Sequence, residues 1–305
     1  YQRFRGIAKP LLALSIILLL LVLVPHVGIT RNNATRWLGL PGTSFQFQPS
    51  EVAKLAIVLY FADNISKKKD KMQTFRYGIL PYAFILMIVA GLIGLEPHLS
   101  GMLLVLGTGA VMMLVGGINW GWVLGALGAG AVGFYTIIYV IGYNASRIEM
   151  WRDPWLDAQG KGYQMVQSLL AIGSGGLLGV GLGKSRQKFL YLPEEHNDFI
   201  FSIICEELGL IGATIIMLLF AVLILRGFWI ALHARDRFGS LLVVGTVTLI
   251  ALQVFLDIGV VTGLLPATGI SLPFFSYGGT ALSIQLAEMG VVLSVSRQMK
   301  PTKAG

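Results

Sequence analysis

The sequence predicts an all-α polytopic membrane protein, on three observations. Only 12% of the 305 residues are charged and 55% are hydrophobic, where an ordinary soluble domain carries about 25% charged residues. Apolar runs long enough to cross a bilayer recur along the chain. Lys and Arg are distributed unevenly over the polar segments between those runs. The net charge of +8 therefore points to cytoplasmic loops, and no nucleic-acid partner is expected. The single cysteine, Cys205, excludes an intramolecular disulfide and a multi-cysteine metal site. It falls in an apolar run and reads as a small buried hydrophobe.

Eight spans are expected, at about 9–26, 50–65, 77–95, 99–117, 120–141, 199–225, 240–263 and 279–296. The first is followed by Pro25-His26 in place of a small-residue cleavage site, so no cleavable signal peptide is evident. With the N-terminus inside, the inner segments carry fourteen Lys and Arg residues and the outer segments eight. Both termini are therefore expected in the cytoplasm. The whole of 1–305 reads as one membrane domain, and 142–199 as a long extracytoplasmic loop within it. A loop of that length in a compact protein is usually functional. It contains "YQMVQSLLAIGSGGLLGVGLG" (163–183), which predicts a short helix over about 162–173 and then a glycine-rich segment at or re-entering the membrane interface. The segment "GLLPATGISLPFFSYGG" (263–279) has the same character.

The candidate chemistry is sparse. "GVGLGKS" (179–185) lacks the first glycine of a phosphate-binding P-loop, because Leu178 stands there. Glu51 and Lys54 stand at i and i+3 and share one helix face. They bear two readings of equal weight, a structural ion pair or the polar wall of a headgroup cavity. Asp257, Glu288, Glu206 and Glu207 lie inside apolar runs, either as proton-relay groups or buried against polar partners. His98 has no second histidine at ligand spacing and reads as a satisfied interfacial residue. The densest ionisable stretch is Glu194, Glu195, His196, Asn197, Asp198 in "YLPEEHNDFIF". Asn197 or Asp198 would serve as an ordinary helix cap. A cap leaves the flanking loop unexplained, for Asp198 is close in sequence to Lys184, Arg186 and Lys188. Cations beside an interfacial carboxylate suit an anionic lipid headgroup or a departing diphosphate.

"RWL" (36–38), "FQPSEVAKLA" (47–56), the long stretch 162–209 and "GLLPATGISLPFFSYGG" (263–279) together resemble the SEDS family (shape, elongation, division and sporulation). The form "GKSRQKFLYLPE" is closer to its FtsW and SpoVE branch than to RodA. The resemblance implies a peptidoglycan glycosyltransferase that polymerises lipid II in the cytoplasmic membrane. It also implies a class B penicillin-binding protein as partner, alongside other division or elongation proteins and membrane lipids. The family's required aspartate matches Asp198, its helix-borne acid and base match Glu51 and Lys54, and its arginine before tryptophan matches Arg36. Lys184, Arg186 and Lys188 join these as expected substrate contacts. Three departures are visible. Members usually have ten spans, so the first two family helices are expected to be absent here. His98 stands where the family has aspartate, and Asp257 where it has asparagine.

The implied reaction is attack of a GlcNAc 4-hydroxyl on C1 of lipid-linked MurNAc, with inversion and loss of undecaprenyl diphosphate. Asp198 on the outer face is the expected general base. Its other reading is as a ligand for a divalent cation (Mg or Mn) on the diphosphate. No organic cofactor is expected. Two rival readings are a flippase for the lipid-linked precursor, resting on Glu51, Lys54, Asp257 and Glu288, and a non-catalytic scaffold for a penicillin-binding protein.

Overall fold

The computed structural model describes residues 1–31, 34–39, 46–135, 145–190, 192–193 and 197–299. Helices occupy all eight expected stretches: α1 (Phe4–Val22), α2 (Pro49–Lys68), α3 (Leu80–Leu95), α4 (Leu99–Val115), α5 (Trp120–Tyr135), α9 (Ile200–Leu232), α10 (Arg237–Val261) and α11 (Gly279–Arg297). Between α5 and α9 lie the short helices α6 (Ala145–Arg152), α7 (Tyr163–Gly175) and α8 (Gln187–Leu190). Among the described residues, five stretches are long and apolar enough to cross a membrane unaided: Phe4–Val22, Phe75–Leu95, Ile200–Leu232, Arg237–Val261 and Gly279–Arg297. Leu99–Val115 is a shorter apolar helix. The all-α expectation gains one addition, a three-stranded antiparallel sheet of β1 (Gly28–Arg31), β2 (Ala34–Gly39) and β3 (Gln46–Phe47). β2 carries the strand formers Thr35 and Trp37 two residues apart, on one face of the pleat, a strand signal hidden in a chain dominated by helical runs.

The chain packs into two compact units, the first being Tyr1–Val123, Leu223–Leu252 and Gly278–Gly305. Its centre is α2, whose residues from Pro49 to Ile65 are mostly buried. Pro49 opens the helix, Glu51 lies in the first turn, and Lys67 and Lys68 lie in the last. That order suits the missing proline N–H and the helix dipole. A helix with this many charges is a poor lipid-facing span, and α2 resolves the conflict by being wrapped in protein. Ile57, Phe61 and Ile65 pack with Tyr82, Leu86, Met112 and Leu241 in one apolar core. Phe61 meets Tyr82 edge-on at 5.0 Å. Close approach of α10 to α2 and α4 depends on Gly245, where a Cβ would stand 2.7 Å from Met112 Sδ and from Val58 Cγ1. Membrane helices pack through small residues in this way because lipid offers no hydrophobic drive to association.

The second unit is Leu124–Val222 and Gln253–Tyr277. Ser168 of α7 is fully buried and lies 2.7 Å from Ser202 Oγ of α9. Its hydroxyl is also 2.8 Å from the Val261 carbonyl at the end of α10. The expected helix over 162–173 is α7, two residues longer at its C-terminus. Beyond it, the glycine-rich segment fills an interruption in α9. Gly209 leaves the helical region at φ 67°, ψ −170°, which frees backbone groups on both sides. They are satisfied by the loop: Val180 and Gly181 N–H donate to the Glu206 and Glu207 carbonyls at 2.9 and 3.0 Å. Leu210 and Ile211 N–H donate to the Gly176 and Leu177 carbonyls at 2.9 and 3.2 Å. A Cβ at Gly179 would stand 2.2 Å from the Glu207 carbonyl oxygen, so only glycine allows this approach. Non-helical backbone in a membrane protein is tolerated where protein covers it.

Candidate active site

Asp198 lies two residues before the start of α9 and is half-buried. The segment after α10 closes over it. A Cβ at Gly269 would stand 3.3 Å from Asp198 Oδ2, and Gly269 has φ +69°. Both the space and the dihedral therefore favour glycine next to the carboxylate. Ser276 fixes the same segment: its hydroxyl donates to the Asn197 carbonyl at 2.6 Å and accepts from Leu272 N–H at 2.8 Å. Trp151 of α6 anchors the other end by donating to the Gly263 carbonyl at 2.9 Å. The two separate motifs 162–209 and 263–279 thus meet at one carboxylate. Glu194, Glu195 and His196, expected to shape the approach, lie outside the described residues.

The expected cations lie in the same unit. Lys184 and Arg186 are exposed and Lys188 is half-buried, 3.7 Å from Glu207 Oε1. Asp257 is 1% exposed, and neither carboxylate oxygen has a hydrogen-bond partner among the described residues. It lies within electrostatic reach of Asp198. Cys205 is buried and free, as expected.

In the first unit, Lys54 Nζ pairs with Glu51 Oε1 at 2.8 Å, and both side chains are almost fully buried. Glu288 of α11 is buried within electrostatic reach of the pair. Arg36 of β2 donates Nε–H to the Glu96 carbonyl at 3.1 Å and a terminal N–H to the Pro97 carbonyl. It thereby grips the corner between α3 and α4. His98 at that corner is buried 3.3 Å from the Gln48 amide nitrogen, which satisfies the histidine as expected. Burial pushes its pKa down to about 3, and the Arg36 and Lys54 charges add to the effect. Glu96 is the residue that sequence reading passes over. Burial raises its carboxyl to about 8 despite the opposing charge of Arg36. Both of its carboxylate oxygens lack hydrogen-bond partners among the described residues.

Glu206 and Glu207 also escaped a specific expectation. They hold the basic loop: Glu206 accepts from Ser185 Oγ and Arg186 N–H, and Glu207 from Ser185 N–H. Nothing local in "EELG" (206–209) signals this role, because the partners Ser185 and Arg186 lie about twenty residues earlier in the chain.

Comparison with known proteins agrees with the motif reading. The profile of the cell cycle proteins FtsW, RodA and SpoVE matches residues 1–301. Stage V sporulation protein E of Bacillus subtilis is 45% identical over 297 residues, covering 97% of this chain and 81% of that protein. The probable peptidoglycan glycosyltransferase FtsW of Geobacter metallireducens is 42% identical over 303 residues, covering 99% and 80%. A chain in a solved peptidoglycan synthase complex that coordinates polymerization and crosslinking superposes with a TM-score of 0.82 at 32% identity, covering 99% of this chain and 84% of that one. The rod shape determining protein RodA of Thermus thermophilus gives a TM-score of 0.70 at 32% identity, covering 99% and 81%. The chain belongs to the FtsW, RodA and SpoVE family of cell cycle proteins, and it is a multi-pass α-helical membrane protein.

Proposed function

We propose that this protein is a peptidoglycan glycosyltransferase that polymerises lipid II into β-1,4-linked glycan, with Asp198 as general base. The observation that carries the reading is the meeting of two family motifs at one half-buried carboxylate, crowded by Gly269. Relatives named for this activity support it. In this reaction the GlcNAc 4-hydroxyl attacks C1 of the lipid-linked MurNAc. The C1–oxygen bond to the diphosphate breaks, the hydroxyl proton passes to Asp198, and inversion at C1 gives the β linkage. Hydrolysis of an ordinary glycoside needs a second carboxyl group to protonate a poor leaving group. A diphosphate leaves with little protonation and needs its charge neutralised instead. Lys184, Arg186 and Lys188 supply that charge in this reading.

The second reading of Asp198 makes it a ligand for a divalent cation on the diphosphate. Among the described residues no group of three or more metal-ligating side chains stands together. Of the described residues Asp198 would hold the ion, in the reading where its carboxylate serves as ligand in place of taking the proton. Mg²⁺ accepts that arrangement because it commonly binds through one or two carboxylates, phosphate oxygens and water. When bound, the ion supplies further neutralisation of the leaving diphosphate. The outer-face location of Asp198 and cytoplasmic termini follow from the Lys and Arg distribution. A class B penicillin-binding protein is the partner proposed to cross-link the product, a reading supported by the structural likeness to a chain of a synthase complex.

The test is polymerisation of labelled lipid II by the purified protein, with a class B penicillin-binding protein whose own active site is disabled and with Mg²⁺ present. Glycan strands are expected, and Asp198→Asn should reduce their rate by roughly 10²–10⁴-fold, the usual contribution of general-base help. Undiminished polymerisation by a folded Asp198→Asn variant removes the assignment.

A further inference from the structure

The stretch "GVGLGKS" fails as a nucleotide loop, yet its last residues are held more tightly than loop residues need to be. Ser185 is 1% exposed, while Lys184 and Arg186 on either side are exposed. The Ser185 hydroxyl donates to Glu206 Oε2 at 2.5 Å and accepts from Lys188 N–H at 3.0 Å. The other Glu206 oxygen accepts Arg186 N–H at 3.1 Å, and Glu207 Oε1 lies 3.4 Å from Ser185 N. One buried carboxylate thus binds the hydroxyl of Ser185 and the backbone of the next residue. The main chain at Glu206 and Glu207 is itself fixed, because their carbonyls take the Val180 and Gly181 N–H groups across the break at Gly209.

A loop anchor of the ordinary kind would be satisfied by an ion pair from a loop cation to the nearby acid. Here the Glu206 carboxylate takes a hydroxyl and a backbone N–H. Among the described residues neither Lys184 nor Arg186 has an ion-pair partner, and only Lys188 reaches a carboxylate. The acids therefore fix the path of the chain without cancelling the charge of the two exposed cations. Charge-assisted hydrogen bonds to backbone and hydroxyl groups are strong enough to hold such a path. Preorganised cations stabilise an anion without reorganising when it binds.

We infer that Ser185, clamped by the Glu206 carboxylate, is a positioning residue that presents Lys184 and Arg186 to the diphosphate of the lipid-linked substrate. The inference rests on the proposed glycosyltransferase reading for the identity of that anion. Ser185 and Glu206 touch no substrate and act through the two cations.

The test uses the full chain in detergent, with fluorescent lipid II as the probe for binding and labelled lipid II for turnover. Ser185→Ala should weaken lipid II binding about tenfold and raise KM by a similar factor, with a smaller change in kcat. Ser185→Thr, which keeps the hydroxyl, should restore most of the binding. In a Lys184→Gln, Arg186→Gln background, Ser185→Ala should change binding less than about twofold, because double-mutant coupling is expected only between groups that act together. An equal loss in both backgrounds, or unchanged binding with a folded protein, overturns the inference. If Ser185→Ala lowers the melting temperature too far to measure, Glu206→Gln is judged by the same two-background comparison. Failure of the intact chain to polymerise, with lipid II binding still dependent on Ser185 through the cations, would overturn the glycosyltransferase reading and keep the positioning role. Polymerisation without that dependence would do the reverse.

Discussion

In the first unit Glu51 lies 2.8 Å from Lys54 on the same helix, and both are sheltered from solvent. In the second unit Asp257 is equally sheltered, but neither of its oxygens has a hydrogen-bond partner among the described residues, and its electrostatic neighbour is another acid, Asp198. The difference shows that burial alone does not reveal what a charged residue does. A pair spaced i to i+3 carries its own neutraliser wherever the helix goes. An acid buried beside another acid is a local cost, which the surrounding structure must offset.

The largest effect should come from breaking the pair. Lys54→Ala leaves Glu51 buried and uncompensated, and removal of one partner of a buried pair costs about 3–5 kcal/mol. A combined Glu51→Gln, Lys54→Met variant removes both charges and should recover most of the melting temperature in detergent. Recovery of stability without recovery of polymerisation would assign the pair to the substrate headgroup as well as to the fold. Recovery of both would leave it a structural pair. If Lys54→Ala melts like the intact protein, the contrast between the units is wrong.

Glu96 and His98 supply an intermediate case, since both sit at the α3–α4 corner near the cation Arg36. The folded state raises Glu96 from an ordinary 4.5 to about 8, so it retains a proton that the unfolded chain has lost. That contribution is complete below pH 4.5 and disappears as pH rises towards 8. His98 runs the other way. Its pKa falls from 6.5 to about 3, so its contribution is present above 6.5 and is lost as pH falls towards 3. Between pH 6.5 and 8 only Glu96 of this pair slopes, and the melting temperature should fall there by a few degrees, roughly the response to 1–2 kcal/mol in a protein of this size. Glu96→Gln should flatten that fall and His98→Gln should leave it. A melting curve whose pH slope above 6.5 survives Glu96→Gln would place the titrating group elsewhere.

Much of this was legible in the residues. Hydrophobic runs located α1, α3, α4 and α10 because a span must hide its backbone over a fixed length. Asp198 stands out in the sequence only through the resemblance of its motif, and the approach of Gly269 to its carboxylate comes from the fold. The sheet of β1, β2 and β3 was not legible, because its strands are only four, six and two residues long and carry too little alternation to stand out among helical runs. Nor was the break at Gly209. A glycine inside an apolar run reads as tolerated, and only the approach of Gly179 to the Glu207 carbonyl shows why the helix is interrupted there. The use of Glu206 was hidden for the same reason, since its partners Ser185 and Arg186 lie about twenty residues earlier in the chain. The interruption and the clamp are products of packing that no local pattern encodes.

Asp257→Asn should give the smallest change and the sharpest choice between readings. The substitution keeps the size of the side chain and removes a carboxylate that has no hydrogen-bond partner among the described residues. The amide still has polar atoms to satisfy, so only part of the burial cost is recovered. A gain of about 1 kcal/mol is expected, seen as a rise of roughly 2–4 °C in melting temperature. Glycan synthesis should stay within about threefold of the intact protein, because in the proposed reaction the proton is taken by Asp198 and the charge is met by the loop cations. A precursor flippase driven through buried ionisable groups requires the opposite, since an amide cannot carry the relayed proton. Loss of function in a folded, stabilised Asp257→Asn protein, together with an active Asp198→Asn protein, would move the chemistry from the carboxylate at the head of α9 to the one buried in α10.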